Sequence, residues 1–544
     1  MYFGVQMYGV SKEWKQDPEG FLKKIYEAGY RQIEPCLGFR VDARDYGFWI
    51  PEDLEQAMPL LAKYHIEVHA VHIFLDEYHY ERELAILTEL AQKYHISWFV
   101  VKSPARLTKD VLDETAARYR ELAEELEKAG AGLLIHNEKE DICIRVNGKT
   151  AYEYLLEACG EKVGAEVDAG WMYCGGVDPE EFLWAHADRV KAVHYKDMKI
   201  TGQEAPLGKG MVDLKACFQF ANGALQIVDM DAATLEDTCR AGKMLSGWTG
   251  DRDNTDSILC TMDVETGEET VLHEFPGIIE APNWLNDGNT LLYNADGKIY
   301  RYEIDKDHVE QVDTGFCVQC NNDHIPSPDN QLLAVSCMPP ELTDGTYESH
   351  IYVLPMTGGE PKDLTGPGLS YLHGWSPDGK ELAYCAFRKK PEEETMRIEI
   401  CTIPSDGGEE TCLTDGKGYN DGPEYSPDGK HIWFNSTRSG LMQVWRMNRD
   451  GSGLIQMTDS DANNWFGHVS PDGKHVIYLT FAKGELEPNE HLPNMYVSLG
   501  MMDYDGQNKK KLLDLFGGQG SINVNSWAPD SRRIAYVKYV LHHK

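Results

Sequence analysis

Strand and helix patterns alternate along residues 1–246 of the chain. Short apolar runs predict strands over residues 2–8, 32–35, 67–72, 98–102, 132–137 and 225–229, with two further strands, one beginning at Ala165 and one ending at His194. Apolar residues at helical spacing predict helices over residues 17–28, 51–64, 80–94, 110–129, 150–159, 178–188, 213–221 and 234–245. Eight strand–helix pairs within about 250 residues match a complete (β/α)8 barrel.

The segment from Gly164 to Asp197 contains several side chains that can bind a metal ion. Glu166 and Asp168 are two positions apart, so on one strand they point to the same face. His194 ends the next predicted strand. A (β/α)8 barrel builds its site from side chains at the C-terminal ends of its strands, which predicts a site at this place.

Polar side chains end most of the other predicted strands as well. The residues at or just past strand C-termini are Glu34, His69, His72, Lys102, His136, Asn137, Glu166, Asp168, His194, Lys196 and Asp229. Any one of them is typical of a hydrogen-bonded rim residue, but so many on one rim predict a common site. A site of several carboxylates and one imidazole suits Mn2+, Mg2+ or Co2+ better than a thiolate-type zinc site does.

An internal repeat dominates the second half of the chain. The sequence Ser-Pro-Asp-Gly-Lys occurs at residues 376–380, 426–430 and 470–474, and weaker copies occur at 285–288, 327–330 and 528–531. Each copy introduces an apolar strand pattern. A period of about 40 to 50 residues is that of a propeller blade, so six copies predict a six-bladed β-propeller.

The ends of this half predict that the propeller closes on itself. Only residues 533–537 form a strand pattern after the last copy, whereas residues 257–267 precede the first copy and have the pattern of two outer strands. The two ends are therefore expected to complete one blade together and leave no open edge. The predicted organisation is a barrel over 1–246, a linker over 247–254 and a propeller over 255–544.

Polar residues precede several of the repeats, where a propeller has its central funnel. His324, His373 and His468 come from different blades and stand beside Asn, Asp and aromatic residues. Such residues are typical of side chains that cap strands and line a solvated channel. They are also typical of a metal or carbohydrate pocket, since aromatic faces and amides suit sugar hydroxyls.

Composition narrows the range of partners. The chain has 544 residues and a formal net charge of −37, which argues against nucleic acid and anionic membranes as partners. No stretch approaches the roughly 20 apolar residues of a membrane helix, and the first residues lack a signal-peptide pattern.

The 13 cysteines are scattered, which predicts reduced thiols and a cytoplasmic protein. Cys317 and Cys320 lie in a predicted strand and face opposite sides, which argues against a zinc or redox pair.

Several short motifs in residues 1–246 carry a resemblance to a known family. They are Gly4-Val5-Gln6-Met7-Tyr8, Asp17-Pro18-Glu19-Gly20, Ile33-Glu34, His136-Asn137, Glu166-Val167-Asp168-Ala169-Gly170-Trp171, His194-Tyr195-Lys196-Asp197, Gly208-Lys209-Gly210 and Val228-Asp229. With these motifs the first half resembles the xylose-isomerase-like sugar isomerases and epimerases. The repeats of the second half resemble those of TolB-like propellers.

The first resemblance implies a divalent metal site. Family members bind one metal ion through a Glu, an Asp, a His and a Glu that follow strands five to eight. The matching residues here are Asp141, Asp168, His194 and Asp229, with two glutamates beside Asp141 as possible replacements. Mn2+ is the expected ion, and Mg2+ and Co2+ are alternatives. Aspartate at both Glu positions would retract the two bases of an epimerase by more than about an ångström, which favours isomerisation or elimination.

The same resemblance implies an activity on sugars. The expected protein is a metal-dependent isomerase, epimerase or lyase that abstracts a proton next to the carbonyl of a keto-sugar or 3-keto-glycoside. The expected catalytic residues are His136, Glu166, Lys196 and Asp229. The expected substrate-binding residues are Glu34, His69, His72, Lys102, Asn137, Trp171, Lys209, His324, His373 and His468.

Two other functions fit this sequence. The chain is similar to propeller-type oligogalacturonate lyases, which implies a lyase whose propeller holds a metal through His324, His373 and His468. Alternatively, the barrel has lost its activity and the chain binds carbohydrate as a scaffold. In each case the expected partner is a small carbohydrate or glycoside. The propeller would then shape the substrate cleft, contribute loops or mediate a homo-oligomer.

Overall fold

The chain forms two compact units. The computed structural model describes residues 3–75, 79–221, 223–232, 234–249, 252, 254–340, 347–389 and 395–541. The units divide between Trp248 and Thr249, inside the predicted linker. Among the described residues, no helix is both long enough and apolar enough to cross a membrane.

The first unit is a parallel barrel. Its strands, in their order around the sheet, are Tyr30–Glu34, Phe3–Gln6, Leu225–Val228, Val190–Tyr195, Val163–Asp168, Gly132–His136, Trp98–Lys102, Ala70–Phe74 and Cys36–Gly38. The first and last of these are two halves of one strand, separated by Pro35, which has no N–H to donate. Ile33 N donates to Glu67 O at 3.0 Å and His72 N donates to Pro35 O at 3.0 Å, which closes the sheet. The predicted (β/α)8 barrel is confirmed.

Helices surround this sheet; eight of them correspond to predicted helices, and Ser11–Gln16, Lys139–Cys143 and Ala169–Gly175 were not predicted. The helices are Ser11–Gln16, Pro18–Glu27, Pro51–Lys63, Tyr80–Tyr94, Lys109–Lys128, Lys139–Cys143, Ala151–Cys159, Ala169–Gly175, Pro179–Ala185, Leu214–Phe220 and Leu235–Trp248. Two short hairpins, Arg145–Val146 with Lys149–Thr150 and Asp197–Met198 with Glu204–Ala205, lie between them. Local chemistry fixes several helix starts. Thr150, for example, accepts from Glu153 N at 3.0 Å, and the Glu153 carboxylate accepts in return from Thr150 N.

The third barrel strand differs from its prediction. The apolar run suggested residues 67–72, but the strand spans Ala70–Phe74, because Glu67 joins the sheet only through an isolated bridge to Gln32. His69 therefore precedes the strand and lies at its N-terminal end, with Nε2 2.6 Å from Glu67 Oε2. Its predicted place at the C-terminal rim is wrong, whereas His72 lies within the strand and is buried.

The second unit is a propeller of six antiparallel sheets. Five of them have four strands: Glu280–Trp284, Thr290–Ala295, Lys298–Glu303 and His308–Gln311; Cys320–Pro326, Leu332–Cys337, His350–Pro355 and Lys362–Asp363; Leu369–Trp375, Glu381–Arg388, Arg397–Pro404 and Thr411–Cys412; Asn420–Tyr425, His431–Ser436, Gln443–Asn448 and Ile455–Gln456; Asn463–Val469, His475–Phe481, Pro493–Asp503 and Lys510–Gly518. The sixth combines Thr255–Asp263, Glu269–Phe275 and Arg533–Leu541. The N-terminal strand of this unit pairs with its C-terminal strand, from Thr255 opposite Leu541 to Asp263 opposite Arg533. Six blades closed by the two ends are confirmed.

The cysteines of the propeller depart from two expectations. Cys401 and Cys412 face each other on neighbouring strands and form a disulfide, so the expectation that all thiols are reduced is wrong at this pair. Cys320 begins a strand, but Cys317 lies in the loop before it. Both thiols are buried in one apolar cluster together with Cys337. The predicted opposite orientation is therefore wrong, because a loop residue does not follow strand alternation.

Candidate active site

The interior of the barrel changes from apolar to charged between two layers of side chains. The lower layer is the buried cluster of Ala70, Val100, Leu134, Ala192 and Ile227. Strand residues two positions apart face the same side, so the next layer toward the strand C-termini comes from the residue two places after each. That layer consists of His72, Lys102, His136, His194 and Asp229. The alternation of the strands thus builds a polar site on an apolar floor.

One group of side chains in this layer has the composition of a metal site. His136, Asp168, His194 and Asp229 are buried, and one ligand atom from each lies within 4.8 Å of the others. Neither nitrogen of His136 has a hydrogen-bond partner in the described part of the chain, nor has Asp168 Oδ2. Buried polar atoms without partners are costly, so this group fits a cation that all four residues would bind. It contains two imidazoles, where the sequence suggested one.

A second group lies beside the first and shares His194 with it. Its members are Glu34, His72, Glu166 and His194. His72 Nε2 is 2.7 Å from Glu166 Oε2, and His194 Nε2 is 2.7 Å from Glu34 Oε2. Burial lowers the pKa of His72, but attraction to Glu166 and Glu34 outweighs it and raises the pKa to about 9. Burial raises the pKa of Glu166, but His194 and His72 bring it well below its usual value. This group is therefore a set of buried ion pairs.

Lys196 joins the first group to the mouth of the barrel. Its side chain is 1% exposed, and Nζ lies 2.9 Å from Asp229 Oδ2, 2.8 Å from Asp231 Oδ2 and 3.6 Å from Asp168 Oδ2. Burial lowers the pKa of Lys196, but attraction to Asp229 and Asp168 raises it well above its usual value. Burial raises the pKa of Asp168 to about 7, against the attraction of Lys196. Lys196 is therefore protonated, and Asp229 is its ionised partner.

The backbone around Asp168 is held by Asn137. Asn137 Nδ2 donates to Asp168 O at 3.2 Å, and Asp168 N donates to Asn137 Oδ1 at 2.8 Å. Asp168 Oδ1 accepts from Trp171 N at 2.7 Å, at the start of the helix Ala169–Gly175. These contacts leave Asp168 Oδ2 facing the metal-competent group. Asn137, expected to bind substrate, acts in this structure on the orientation of Asp168.

Asp141 is not brought into either group. Its carboxylate accepts from Glu138 N at 3.0 Å and caps the helix Lys139–Cys143. Burial raises the pKa of Asp141 to about 6. His136, which ends the preceding strand, occupies the corresponding place in the first group. A metal bound there would take an imidazole ligand where the resemblance suggested a carboxylate.

A cavity of about 370 Å3 opens above the two groups. Its lining comprises Gln6, Tyr8, Cys36, Phe48, His72, Phe74, Lys102, His136, Glu138, Trp171, Lys196, Asp229 and Asp231. Sequence reasoning did not place the aromatic residues Tyr8, Phe48 and Phe74 in the site, although Tyr8 is the last residue of the first predicted strand. Lys209 is exposed and is absent from the cavity lining. The segment Gly208-Lys209-Gly210 instead contacts Asp197, since Gly210 N donates to Asp197 Oδ2 at 2.6 Å.

The propeller histidines occupy separate environments. His468 is bound on both sides, by Glu424 Oε2 at 2.7 Å and by Ile522 O at 2.6 Å. His324 is fully buried, and its Nε2 has no hydrogen-bond partner within the described ranges. His373 Nε2 lies 3.2 Å from Asp421 Oδ1 and 3.6 Å from Asp323 Oδ1. None of the metal-competent groups found among the described residues includes any of these three histidines.

The ion pair of His373 predicts a pH dependence of stability. Burial lowers its pKa, but Asp323 and Asp421 outweigh this effect and raise it to about 9, above the value of about 6.5 in an unfolded chain. The pair therefore stabilises the propeller fully below about pH 6.5 and is lost as the pH rises through 9. We expect a loss of about 2 to 3 kcal/mol in unfolding free energy between pH 6.5 and 10.

Urea unfolding followed by tryptophan fluorescence across this pH range measures the loss. The variant His373→Asn should be less stable at pH 6.5, and its loss of stability between pH 6.5 and 10 should be smaller than that of the parent protein by about 2 to 3 kcal/mol. His308→Asn, which replaces an exposed histidine on another blade, serves as the matched control. Equal pH dependence in the His373 variant and in the parent protein would contradict the ion pair.

Comparison with known proteins finds matches to parts of both units. A family model of xylose isomerase-like TIM barrels matches residues 22–224. A family model of the TolB β-propeller domain matches residues 374–495. An uncharacterized protein of Agrobacterium fabrum is 43% identical over 292 residues, which are 54% of this chain and 95% of that protein.

Two solved structures are also similar to parts of the chain. A TolB candidate of Agrobacterium tumefaciens is 42% identical, with a TM-score of 0.49, and the match covers 53% of this chain and 99% of that one. A sugar phosphate isomerase/epimerase of Parabacteroides distasonis is 22% identical, with a TM-score of 0.37, and the match covers 45% of this chain and 93% of that one.

Proposed function

We propose that this chain, which belongs to the xylose isomerase-like TIM barrels in its first unit and to the TolB-type propellers in its second, is a metal-dependent sugar isomerase or lyase. Its site is the mouth of the barrel. The observation that carries this proposal is the buried group of His136, Asp168, His194 and Asp229, with unpartnered atoms, beside a cavity of about 370 Å3. A cavity of this size suits a small organic substrate.

The four residues of this group would hold one divalent ion. Two imidazoles and two carboxylates suit Mn2+, which we propose as the ion, with Mg2+ and Co2+ as alternatives. When bound, such an ion supplies a Lewis acid for negative charge that develops on a sugar carbonyl oxygen. Asn137 would keep Asp168 oriented toward it, through its two hydrogen bonds to the Asp168 backbone.

Proton transfer would fall to residues that line the cavity. Lys196 is protonated and reaches the cavity beside Asp229, so it is placed to donate a proton to a substrate oxygen. Glu138 lies in the lining and is not bound to Lys196, so we assign it the role of accepting a proton from carbon. Glu166 is fully buried, is bound to His72 and does not line the cavity, so we assign it the role of holding His72 in place beneath the site.

A test of this function combines metal analysis with turnover. The purified chain, loaded with Mn2+, is assayed against keto-sugars and 3-keto-glycosides, with product structure and solvent deuterium incorporation as readouts. We expect about one metal ion per barrel and deuterium at the carbon next to the carbonyl. Metal binding without any exchange or turnover on this panel would contradict the proposal.

The charges at the mouth predict that a phosphorylated sugar is a poor ligand. Lys102 is bound to Glu138, and Lys196 is bound to Asp229 and Asp231, so both lysines of the lining are already paired. The parent protein should therefore bind inorganic phosphate only weakly. Glu138→Gln frees Lys102 and should tighten phosphate binding by about tenfold, because a lysine without its carboxylate is available to the anion.

Isothermal titration with inorganic phosphate measures this effect. Glu140→Gln is the matched control. Glu140 is exposed on the helix Lys139–Cys143, which directly follows Glu138, and it is absent from the cavity lining. Phosphate binding by the parent protein at micromolar concentration would contradict the pairing of the two lysines.

A further inference from the structure

A second cavity adjoins the barrel mouth. It has a volume of about 220 Å3 and is lined by Gly38, Phe39, Arg40, Asp42, Ala43, Tyr46, Phe48, Phe74 and Glu83. Phe48 and Phe74 belong to the lining of both this cavity and the 370 Å3 cavity above the metal-competent group. We call the smaller one the side cavity. We call these two aromatic side chains the aromatic wall, because they line both the side cavity and the cavity above the metal-competent group.

The aromatic wall is built by the backbone. Phe48 and Phe74 stack with ring centroids 4.4 Å apart and planes within 8°. Phe74 ends a barrel strand and pairs there with Gly38. Gly47 ends the short helix Val41–Tyr46 with a φ of 89°, in the left-handed region, and this turn of the backbone positions Phe48.

Two hydrogen bonds hold the segment beyond Phe48 to the barrel. Gly38 N donates to Trp49 O, and Trp49 N donates to Cys36 O, both at 2.8 Å. A Cβ on Gly38 would lie 2.6 Å from Ala43 Cβ, so only glycine lets the segment pack this closely. The aromatic wall is thus ordered before any ligand arrives, which lowers the entropy cost of binding.

The chemistry of the side cavity suits a flat, uncharged ring. Four of its residues are aromatic: Phe39, Tyr46, Phe48 and Phe74. Arg40 and Asp42 are paired with each other through two contacts, at 3.1 and 3.2 Å. Tyr46 is 69% exposed and leaves a large apolar face at the open end of the cavity. An aromatic ring gains from such faces, whereas an anion would meet the carboxylate of Glu83, which is buried in the same lining.

We propose that the substrate of the barrel site is an uncharged glycoside whose aromatic aglycone lies in the side cavity while its sugar ring lies in the larger one. This inference rests on the proposed function, because it assumes that a sugar occupies the cavity above the metal-competent group. Phe48 and Phe74 line both cavities, so a ligand that occupies both would contact these two rings and be held along its length. Such a fit would set which bond of the sugar faces Lys196 and Glu138.

The test compares two glycosides that differ only in their aglycone. The 3-keto derivatives of phenyl β-glucoside and methyl β-glucoside are titrated by calorimetry into the full chain loaded with Mn2+. We expect the phenyl compound to bind about tenfold more tightly, since stacking on the aromatic wall is open to it alone. In Tyr46→Ala the preference should fall to about threefold or less, while binding of the methyl compound stays unchanged.

Val41→Ala is the matched control. Val41 is 72% exposed in the same segment and does not line the side cavity, so its replacement should leave the preference as it was. Equal binding of the two glucosides by the parent protein, or an undiminished preference in Tyr46→Ala, would overturn the aglycone site and leave the proposed function standing. Failure of both glucosides to bind the metal-loaded chain would overturn the proposed function together with this inference.

Discussion

Asp168→Ala combined with His194→Ala is expected to abolish metal uptake and to lower turnover by at least about a thousandfold. The two residues supply one carboxylate and one imidazole of the same buried group, and the two that remain, His136 and Asp229, are too few to hold a divalent ion tightly. Loss of a group that stabilises developing charge typically costs two to three orders of magnitude or more. Metal content by mass spectrometry and turnover on 3-keto-glycosides are the measurements.

The control for this variant lies in the other unit. His373→Ala removes the histidine bound to Asp421 in the propeller and should leave both metal content and turnover unchanged. If the propeller were the lyase, the pattern would reverse: the barrel variant would be silent and the His373 variant inactive. Activity retained in both variants would favour the carbohydrate-binding scaffold.

A further pair of variants decides which residue is the fourth ligand. His136→Ala should lose the metal, because His136 belongs to the buried group and its two nitrogens lack partners among the described residues. Asp141→Asn should keep the metal, because Asp141 caps a helix instead. The reverse result would restore the carboxylate ligand that the family resemblance implied.

The architecture could be predicted from the sequence because it depends on the regular spacing of apolar residues and of repeated motifs. Apolar runs alternating with helical spacing identified the barrel, and the Ser-Pro-Asp repeats identified six blades. Ser376 illustrates why the repeat is so uniform: its Oγ accepts from Glu381 N at 2.9 Å and donates to Asp378 at 2.7 Å. Ser327, Ser426 and Ser470 make the same two contacts in their own blades, so the repeat of these four turns is visible without a structure.

The candidate site could be predicted only in part. Residues at strand ends were found, because their position follows from the strand that precedes them. His69 was misplaced because a shift of a few residues in a strand boundary moves a side chain to the other end or face of the barrel. Phe48 carried no signal at all, because its place depends on the left-handed turn at Gly47 and on the hydrogen bonds of Trp49.

Lys196→Met is expected to destabilise the metal-free barrel by about 3 kcal/mol or more. Lys196 is 1% exposed and is the cation closest to Asp229, and it also contacts Asp231 and Asp168. Removing one partner of a buried ion pair leaves uncompensated charge, which typically costs about 3 to 5 kcal/mol. Urea unfolding of the metal-free chain, with tryptophan fluorescence as the readout, measures this loss. Lys191→Met is the matched control, because Lys191 is a hydrogen-bonded, partly exposed lysine in the strand Val190–Tyr195, which directly precedes Lys196.

Added Mn2+ should reverse most of this loss of stability but not the loss of turnover. A divalent ion bound by Asp168 and Asp229 would supply the positive charge that Lys196 provided, so the stability difference should shrink to about 1 kcal/mol or less at saturating metal. Turnover should stay at least about a hundredfold below the parent value, because the proton donor is missing. A deficit in stability that is the same with and without Mn2+ would mean that metal and lysine do not share these carboxylates. Full turnover in the metal-loaded variant would instead remove Lys196 from the proton transfer and leave it as a structural cation.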